Sequence, residues 1–578
     1  MTVGGGAAFA LTHHPVPKLA LIIAAPLAFA AGAAAAFGFE PANFWLLTVL
    51  GLAGLAALID LVGSRWRAAL IGWLWGVGHF AFGLTWIAKA FTYQAKMPAA
   101  LGWAAVGTLS LYLALFVALA TGAAAFVRAG PGRALVLAAA MMAGEALRGI
   151  VFTGFPWNPL GAAWLPAAGM AQLAGVIGAI GIGGLMVLAG AALWQMVAPG
   201  QRLVDRGLGL ALAAVVAGSA MIGDGFNRET YYPDNFNVFV VQANIGEDER
   251  YGRDAENLNV YLALTRSALA NRETVAATAE AAAPDAEAAP AVLPPTTSGA
   301  GVTPLPGGEG AATGPGGAAG FVPAAGARGA IVVWPEGAVQ APVENDPALR
   351  AALAAALGPN DLLMFGGTGL VRNGRGQVIA YANTLFVLDA KAKLRGRYDK
   401  AHLVPYGEYL PARPLMTSLG LSRLVPGDYD FAAGPGPRTL ALPGFSPAGP
   451  QICYEIIFPG AVTEPGKRPA WIVAISNDAW FGASGPPQHL AQARLRAIEE
   501  GLPVVRATPT GISAILDANG RDVAVQPAGT QGVISFTLPP PLPPPFFARQ
   551  GHWPPLWLGL ALAGGGLLIA RRRPPGKI

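Results

Sequence analysis

Cysteine is nearly missing from this chain: Cys453 is the single thiol in 578 residues. One thiol cannot close an internal disulfide, so no bridge staples the fold. Charge is scarce as well. Charged residues make up 12% of the chain, against about 25% in an ordinary soluble protein. The net charge of +5 is small for this length and argues against nucleic acid as a partner. The 6 histidines are scattered, and no His/Cys/Asp cluster has metal-ligand spacing. Neither a metal nor another cofactor is therefore expected.

Apolar residues fill the space that charge leaves, at 53% of the chain. Apolar runs lie at 18–37, 43–63, 68–88, 99–126, 133–152, 170–198, 207–223 and 555–570. Crossing a bilayer takes about 20 residues. Any one run could be a buried core helix, but seven crowd the first 225 residues, which favours a polytopic membrane domain. Further spans follow the first run closely, unlike the polar sequence that follows a cleaved signal peptide. With eight spans, the basic clusters Arg65/Arg67, Arg128/Arg133, Arg202/Arg206 and Arg571–Arg573 with Lys577 share one side. By the positive-inside rule that side is the cytoplasm, which places both termini there and the long polar segment across the membrane.

The expected organisation is a membrane domain of seven spans at 1–225, a polar domain at 226–549, and a last span with a basic tail at 550–578. The polar domain opens with the buried-strand pattern Asn237–Gln242. Similar runs follow at 330–334, 361–366, 383–388, 394–398, 471–475 and 504–507. Helical patterns at 254–270, 346–357 and 488–500 alternate with some of them, which implies an α/β layered fold. Residues 271–329 are rich in Ala, Gly, Pro and Thr and read as a disordered insertion.

Four short runs could carry chemistry. Cys453 follows a short apolar run; it is either a buried structural thiol or a nucleophile at a strand end. Glu336 comes just after Trp334-Pro335, where proline ends a strand; it is either a solvated carboxylate or a general base. Lys400 has His402, Tyr406, Glu408 and Tyr409 within ten positions. It is either a surface charge or a fixed cation for an oxyanion, with Glu408 holding it. Ser476-Asn477-Asp478-Ala479-Trp480-Phe481-Gly482 is either an Asx-type turn or the rim of a pocket.

Taken together, Trp334-Pro335-Glu336, Asp399-Lys400 and Cys453-Tyr454-Glu455 resemble the ordered Glu–Lys–Cys set of the nitrilase superfamily. The run 400–411, the run Thr153–Gly161 and the apolar frame resemble the apolipoprotein N-acyltransferase family in particular. The resemblance implies a nitrilase-like αββα sandwich joined to a membrane domain of about eight spans. It implies Cys453 as nucleophile, Glu336 as base and Lys400 as oxyanion stabiliser. Glu408, Tyr454, Glu455, Asn477 and Trp480 are implied as supporting or substrate-binding residues, with Tyr454 and Glu455 on the site wall. Pro509 and Arg250-Tyr251 stand where the family pattern has Asn and Lys-Trp.

The implied reaction takes an acyl chain from a phospholipid to the α-amino group of a diacylglyceryl-cysteine apolipoprotein, through a thioester. The implied location is the bacterial inner membrane, with the catalytic domain on the periplasmic side. A membrane-tethered amidase or nitrilase would use the same triad with water as acceptor. A transporter or receptor is the non-enzymatic alternative. Glu145 and Arg148 would then mark a substrate path, although an i,i+3 pair near a helix end explains them more simply.

Overall fold

The structure is a computed structural model that describes residues 19–93, 98–199, 201, 203–225, 236–272, 329–418 and 430–571. The expected insertion at 271–329 lies almost wholly outside the described residues. The chain divides into two compact units. One is made of Met1–Ala88, Ala100–Phe226 and Gln550–Ile578, the other of Lys89–Ala99 and Asn227–Arg549. The sequence division differs at 89–99, a connection between apolar runs that falls to the second unit.

The first unit is helical. Its long helices are Leu21–Ala36, Trp45–Leu61, Arg65–Gly83, Ala100–Ala124, Pro131–Arg148, Ala174–Val197, Leu203–Asp224 and Trp553–Arg571. They occupy the eight apolar runs. Four of them, at 100–124, 174–197, 203–223 and 553–571, are long and apolar enough to cross a membrane. A bent pair, Arg65–Gly83 with Ile87–Tyr93, would make five. The count falls below eight for physical reasons. The first two helices are only 16 and 17 residues long, and Pro131–Arg148 carries Arg133, Glu145 and Arg148. Ile22, Leu50, Leu119, Leu210 and Leu560 are all more than half exposed. A soluble protein rarely leaves so much apolar surface open. Inside the unit, backbones approach closely: a Cβ on Gly32 would lie 1.8 Å from the Trp75 carbonyl oxygen, the kind of contact that small residues permit between membrane helices.

The Glu145–Arg148 pair has a specific task in this unit. Arg148 donates to the carbonyls of Phe155 (2.8 Å), Trp157 (2.9 Å) and Asn158 (3.3 Å). Glu145 accepts from the Leu160 amide at 2.7 Å. Together they clamp the loop that contains the Thr153–Gly161 run. This favours the plainer reading of the pair over a transport path.

Among the described residues the second unit holds twelve strands. They are β1 Asn237–Gln242, β2 Ile331–Val333, β3 Leu362–Arg372, β4 Val378–Asp389, β5 Leu394–Asp399, β6 Leu440–Leu442, β7 Phe445–Ile452, β8 Trp471–Ile475, β9 Val504–Ala507, β10 Ser513–Leu516, β11 Asp522–Gln526 and β12 Gly532–Thr537. Two six-stranded sheets form, in the orders β12-β1-β2-β3-β4-β5 and β11-β10-β9-β8-β7-β6. The central strands β1–β3 and β7–β9 run parallel.

Alternation along the strands builds the layers. Val238, Val240, Ile331, Val333, Leu362 and Met364 face Ile452, Trp471, Val473, Ile475 and Val505 of the other sheet. Their neighbours Phe239, Val241, Val332, Trp334, Leu363 and Phe365 face Tyr261 and Leu262 of helix Asp254–Ala270 and Leu353 of helix Pro347–Ala354. Burial on both faces explains the unbroken apolar runs.

The sequence showed only a short apolar run before Cys453; the strand there begins earlier, at Phe445, and includes Pro447 and Pro450. β6 pairs only with the first half of β7, so Pro450 lies where β7 has β8 on one edge and no β6 partner on the other.

Trp334 anchors the strand end that carries Glu336. It is fully buried, stacks on Tyr261 at 5.0 Å and donates to the Thr265 hydroxyl at 3.0 Å. Trp334→Ala is expected to cost about 3–5 kcal/mol, read as a fall of several degrees in thermal unfolding of the detergent-solubilised protein. An unchanged transition would contradict this anchoring role.

Candidate active site

The chemistry-bearing residues gather where strands end. Glu336 follows β2, Cys453 follows β7, Ser476 and Asn477 follow β8, and Lys400 follows β5. Gly366 lets the first of these turns close, since a Cβ there would lie 2.5 Å from Glu336 Cα.

Lys400 is 1% exposed. Its Nζ lies 2.9 Å from Glu408 Oε2, 3.0 Å from Glu408 Oε1 and 3.8 Å from Glu336 Oε1. Burial alone would drive the ammonium toward deprotonation. The two carboxylates, Glu408 foremost, more than offset that and hold its pKa above the ordinary lysine value. Lys400 is therefore a permanent cation at this site.

Glu336 is held at both oxygens. Oε1 accepts from Asn383 Nδ2 at 2.5 Å, and Oε2 accepts from the Asn477 backbone amide at 2.6 Å. Asn383 also donates to Glu408 Oε1 at 2.8 Å, so one amide bridges the two carboxylates. The Val404 amide completes the cradle of Glu408 at 2.8 Å.

Cys453 starts a short 3₁₀ helix, Cys453–Ile457, with φ of 54°. A non-glycine residue in the left-handed region is strained, and such strain gathers at functional turns. Burial first, and then the Glu336 charge, push the thiol up to about 12, while Lys400 and the Ser476 hydroxyl pull the other way. The resting sulfur is therefore a protonated thiol, and a thiol becomes a nucleophile only once a base takes its proton.

The supporting residues take distinct places. Glu455 accepts from Tyr398 Oη (2.8 Å) and from the amides of Ala401 (2.7 Å), His402 (3.1 Å) and Ile452 (2.7 Å). At 5% exposure it ties the lysine loop to the cysteine loop. The ring of Tyr454 packs on Phe458 and His402. Asn477 Nδ2 reaches Glu247 Oε2 at 2.8 Å. Trp480 meets Tyr93 edge to face at 5.6 Å.

Four residues here were missed or given no role in the sequence. Asn383 stood out only as a polar side chain within an apolar strand. His489, Asp478 and Arg506 are each 0–2% exposed, and Arg506 donates to both of the others behind the Cys453 turn. A cavity of about 130 Å³ lies beside Glu336, with Gly337, Asn477, Arg250 and Pro509 in its lining. Two of the departures from the expected pattern, Arg250 and Pro509, thus line the same cavity as Glu336.

The profile of the apolipoprotein N-acyltransferase N-terminal domain matches residues 31–192, and that of the carbon-nitrogen hydrolase family matches residues 240–542. The chain is 34% identical to the apolipoprotein N-acyltransferase of Rhodopseudomonas palustris over 570 residues, 96% of each chain. It is 35% identical to that of Bradyrhizobium diazoefficiens over 95% of this chain and 94% of that one. The Caulobacter vibrioides protein is also 35% identical, over 89% of this chain and 88% of that one. The chain belongs to the apolipoprotein N-acyltransferase family. The family's N-terminal profile runs from within the first long helix to within the sixth, Ala174–Val197, and the hydrolase profile spans both sheets. With its apolar helices, this membership makes the chain a bacterial membrane protein and an acyltransferase.

Because the thiol is protonated at rest, its alkylation by iodoacetamide is expected to be slow at pH 7. It should then rise about tenfold per pH unit toward pH 10, as the thiolate fraction grows. A rate already level at pH 7 would mark a preformed thiolate and refute this.

Proposed function

We propose that this protein transfers an acyl chain from a phospholipid to the α-amino group of a diacylglyceryl-cysteine at the N-terminus of apolipoproteins. The observation that carries the reading is the buried Glu336–Lys400–Glu408 cluster beside Cys453, in a chain that matches N-acyltransferases over nearly its whole length.

Glu336 takes the proton of Cys453 as the sulfur attacks the ester carbonyl. The Lys400 ammonium and backbone N–H groups stabilise the oxyanion. The C–O bond breaks, the proton passes from Glu336 to the leaving oxygen, and a lysophospholipid departs. A thioester remains on Cys453. The neutral amine of the acceptor then attacks that thioester. Glu336 takes the amine proton, the C–S bond breaks, and the proton returns to the sulfur. Glu408 and Asn383 hold Lys400 and Glu336 in place through both halves.

The same reading has eight spans, at 1–225 and 550–578, flanking the catalytic domain at 226–549. That domain faces the periplasm from the bacterial inner membrane, with both termini in the cytoplasm. The basic clusters on alternate connections support this orientation.

Incubated with phospholipid, the protein is expected to gain one acyl mass by intact mass spectrometry, and Cys453→Ala to gain none. A diacylated lipopeptide should discharge the adduct while buffer leaves it. Glu336→Gln should slow adduct formation roughly 10²–10⁴-fold. Clearance by water as fast as by peptide would favour a hydrolase. No adduct on folded protein would overturn the thioester route.

A further inference from the structure

His489 has no part in the reaction described above, yet its ring touches the nucleophile turn. It is fully buried on helix Gly485–Glu500. Nε2 lies 3.1 Å from the Cys453 carbonyl oxygen. A carbonyl only accepts, so Nε2 carries the hydrogen. On the other side, Arg506 donates from its NH2 group to Nδ1 at 3.1 Å and also to Asp478 Oδ2. Asp478 Oδ1, 3.2 Å from Nδ1, takes the hydrogen of the Ser476 hydroxyl at 2.7 Å. The partners fit a neutral ring with its lone pair at Nδ1. Burial and the Arg506 cation hold the imidazole pKa below its ordinary value, in the same sense. Phe481 packs edge-on against the ring at 5.6 Å.

What this does follows from the peptide bond. A trans peptide is planar, with its C=O and N–H on opposite sides. The carbonyl of Cys453 and the N–H of Tyr454 belong to one such plane. With the carbonyl drawn to His489, the N–H of the same plane points to the side opposite the ring.

We propose that His489 is a positioning residue that aims the Tyr454 N–H as an oxyanion donor opposite Lys400. The proposal rests on the acyl-transfer reading and adds to it the part that holds the second donor. Arg506 and Asp478 then serve to keep the His489 ring in the tautomer and orientation that donate to Cys453. The left-handed φ at Cys453 gives the plane a reason to need holding, since a relaxed turn would swing the N–H away.

The test compares His489→Gln with His489→Met. The two replacements are alike in length, but only glutamine can donate to the Cys453 carbonyl. Single-turnover acylation of Cys453 is followed with phospholipid and, separately, with p-nitrophenyl butyrate, which needs the oxyanion donors but no lipid recognition. H489M is expected to acylate roughly 10–100-fold more slowly with both donors, the scale of a misplaced oxyanion donor, with the half-saturating donor concentration within about threefold of wild type. H489Q should recover to within about fivefold. Equal losses in both variants, tracking a fall in thermal stability, would make His489 merely structural and overturn the proposal, as would no loss in either. If H489M does not fold, H489Q alone decides: a rate within about fivefold supports the role, and a larger loss overturns it. Wild type acylated by the nitrophenyl ester but not by phospholipid would count against the lipid reading, while the H489Q/H489M comparison on the ester still decides the role of His489.

Discussion

An ammonium taken out of water keeps its charge only if carboxylates answer it, and Lys400 depends on two. Its Nζ sits within 4 Å of Glu408 and Glu336 at 1% exposure. Asn383 spans the same two carboxylates, so removing any member leaves another buried polar group unanswered. The arrangement yields a fixed cation and a fixed carboxylate in one structure. It also explains why the thiol can stay protonated at rest: the cation that could stabilise a thiolate is already shared between two anions.

The fold supplies the places for this network. Parallel strands end on one side of each sheet, and the residues beyond those ends converge without long loops. Glu336 arrives from β2, Cys453 from β7, and Asn477 from β8. Glu455 ties the turn after β5 to the turn after β7, so the lysine and the cysteine are held by one buried carboxylate. The His489–Asp478–Arg506 group braces the same cysteine turn from helix Gly485–Glu500.

In the helical unit the same rule governs charge. Arg148 and Glu145 are turned onto backbone groups of the 151–165 loop. Asp60 binds Arg133 at 2.7 Å and accepts from Trp194 Nε1 at 2.8 Å. Where charges are scarce, those present are used to tie non-helical backbone and helix ends, because nothing apolar can satisfy them.

The order Glu336, Lys400, Cys453, the alternation of apolar runs and the α/β layering were all readable in the chain. They are local: a proline ends a strand, a motif spans a few residues, a periodicity repeats. Asn383 and His489 were not readable, since their partners lie 47 and 36 residues away and each alone looks like an ordinary polar residue. The length of β7 was obscured by its two prolines, which only the sheet's pairing pattern makes tolerable. Glu455 was legible as part of a motif but not as a brace, because a carboxylate's role depends on which donors surround it. By itself the sequence determined which residue types carry the chemistry and the apolar helices that place it in a membrane protein. Tertiary structure decided which charges meet, which backbone groups they hold and which thiol state results, because those depend on distances and burial that only folding creates.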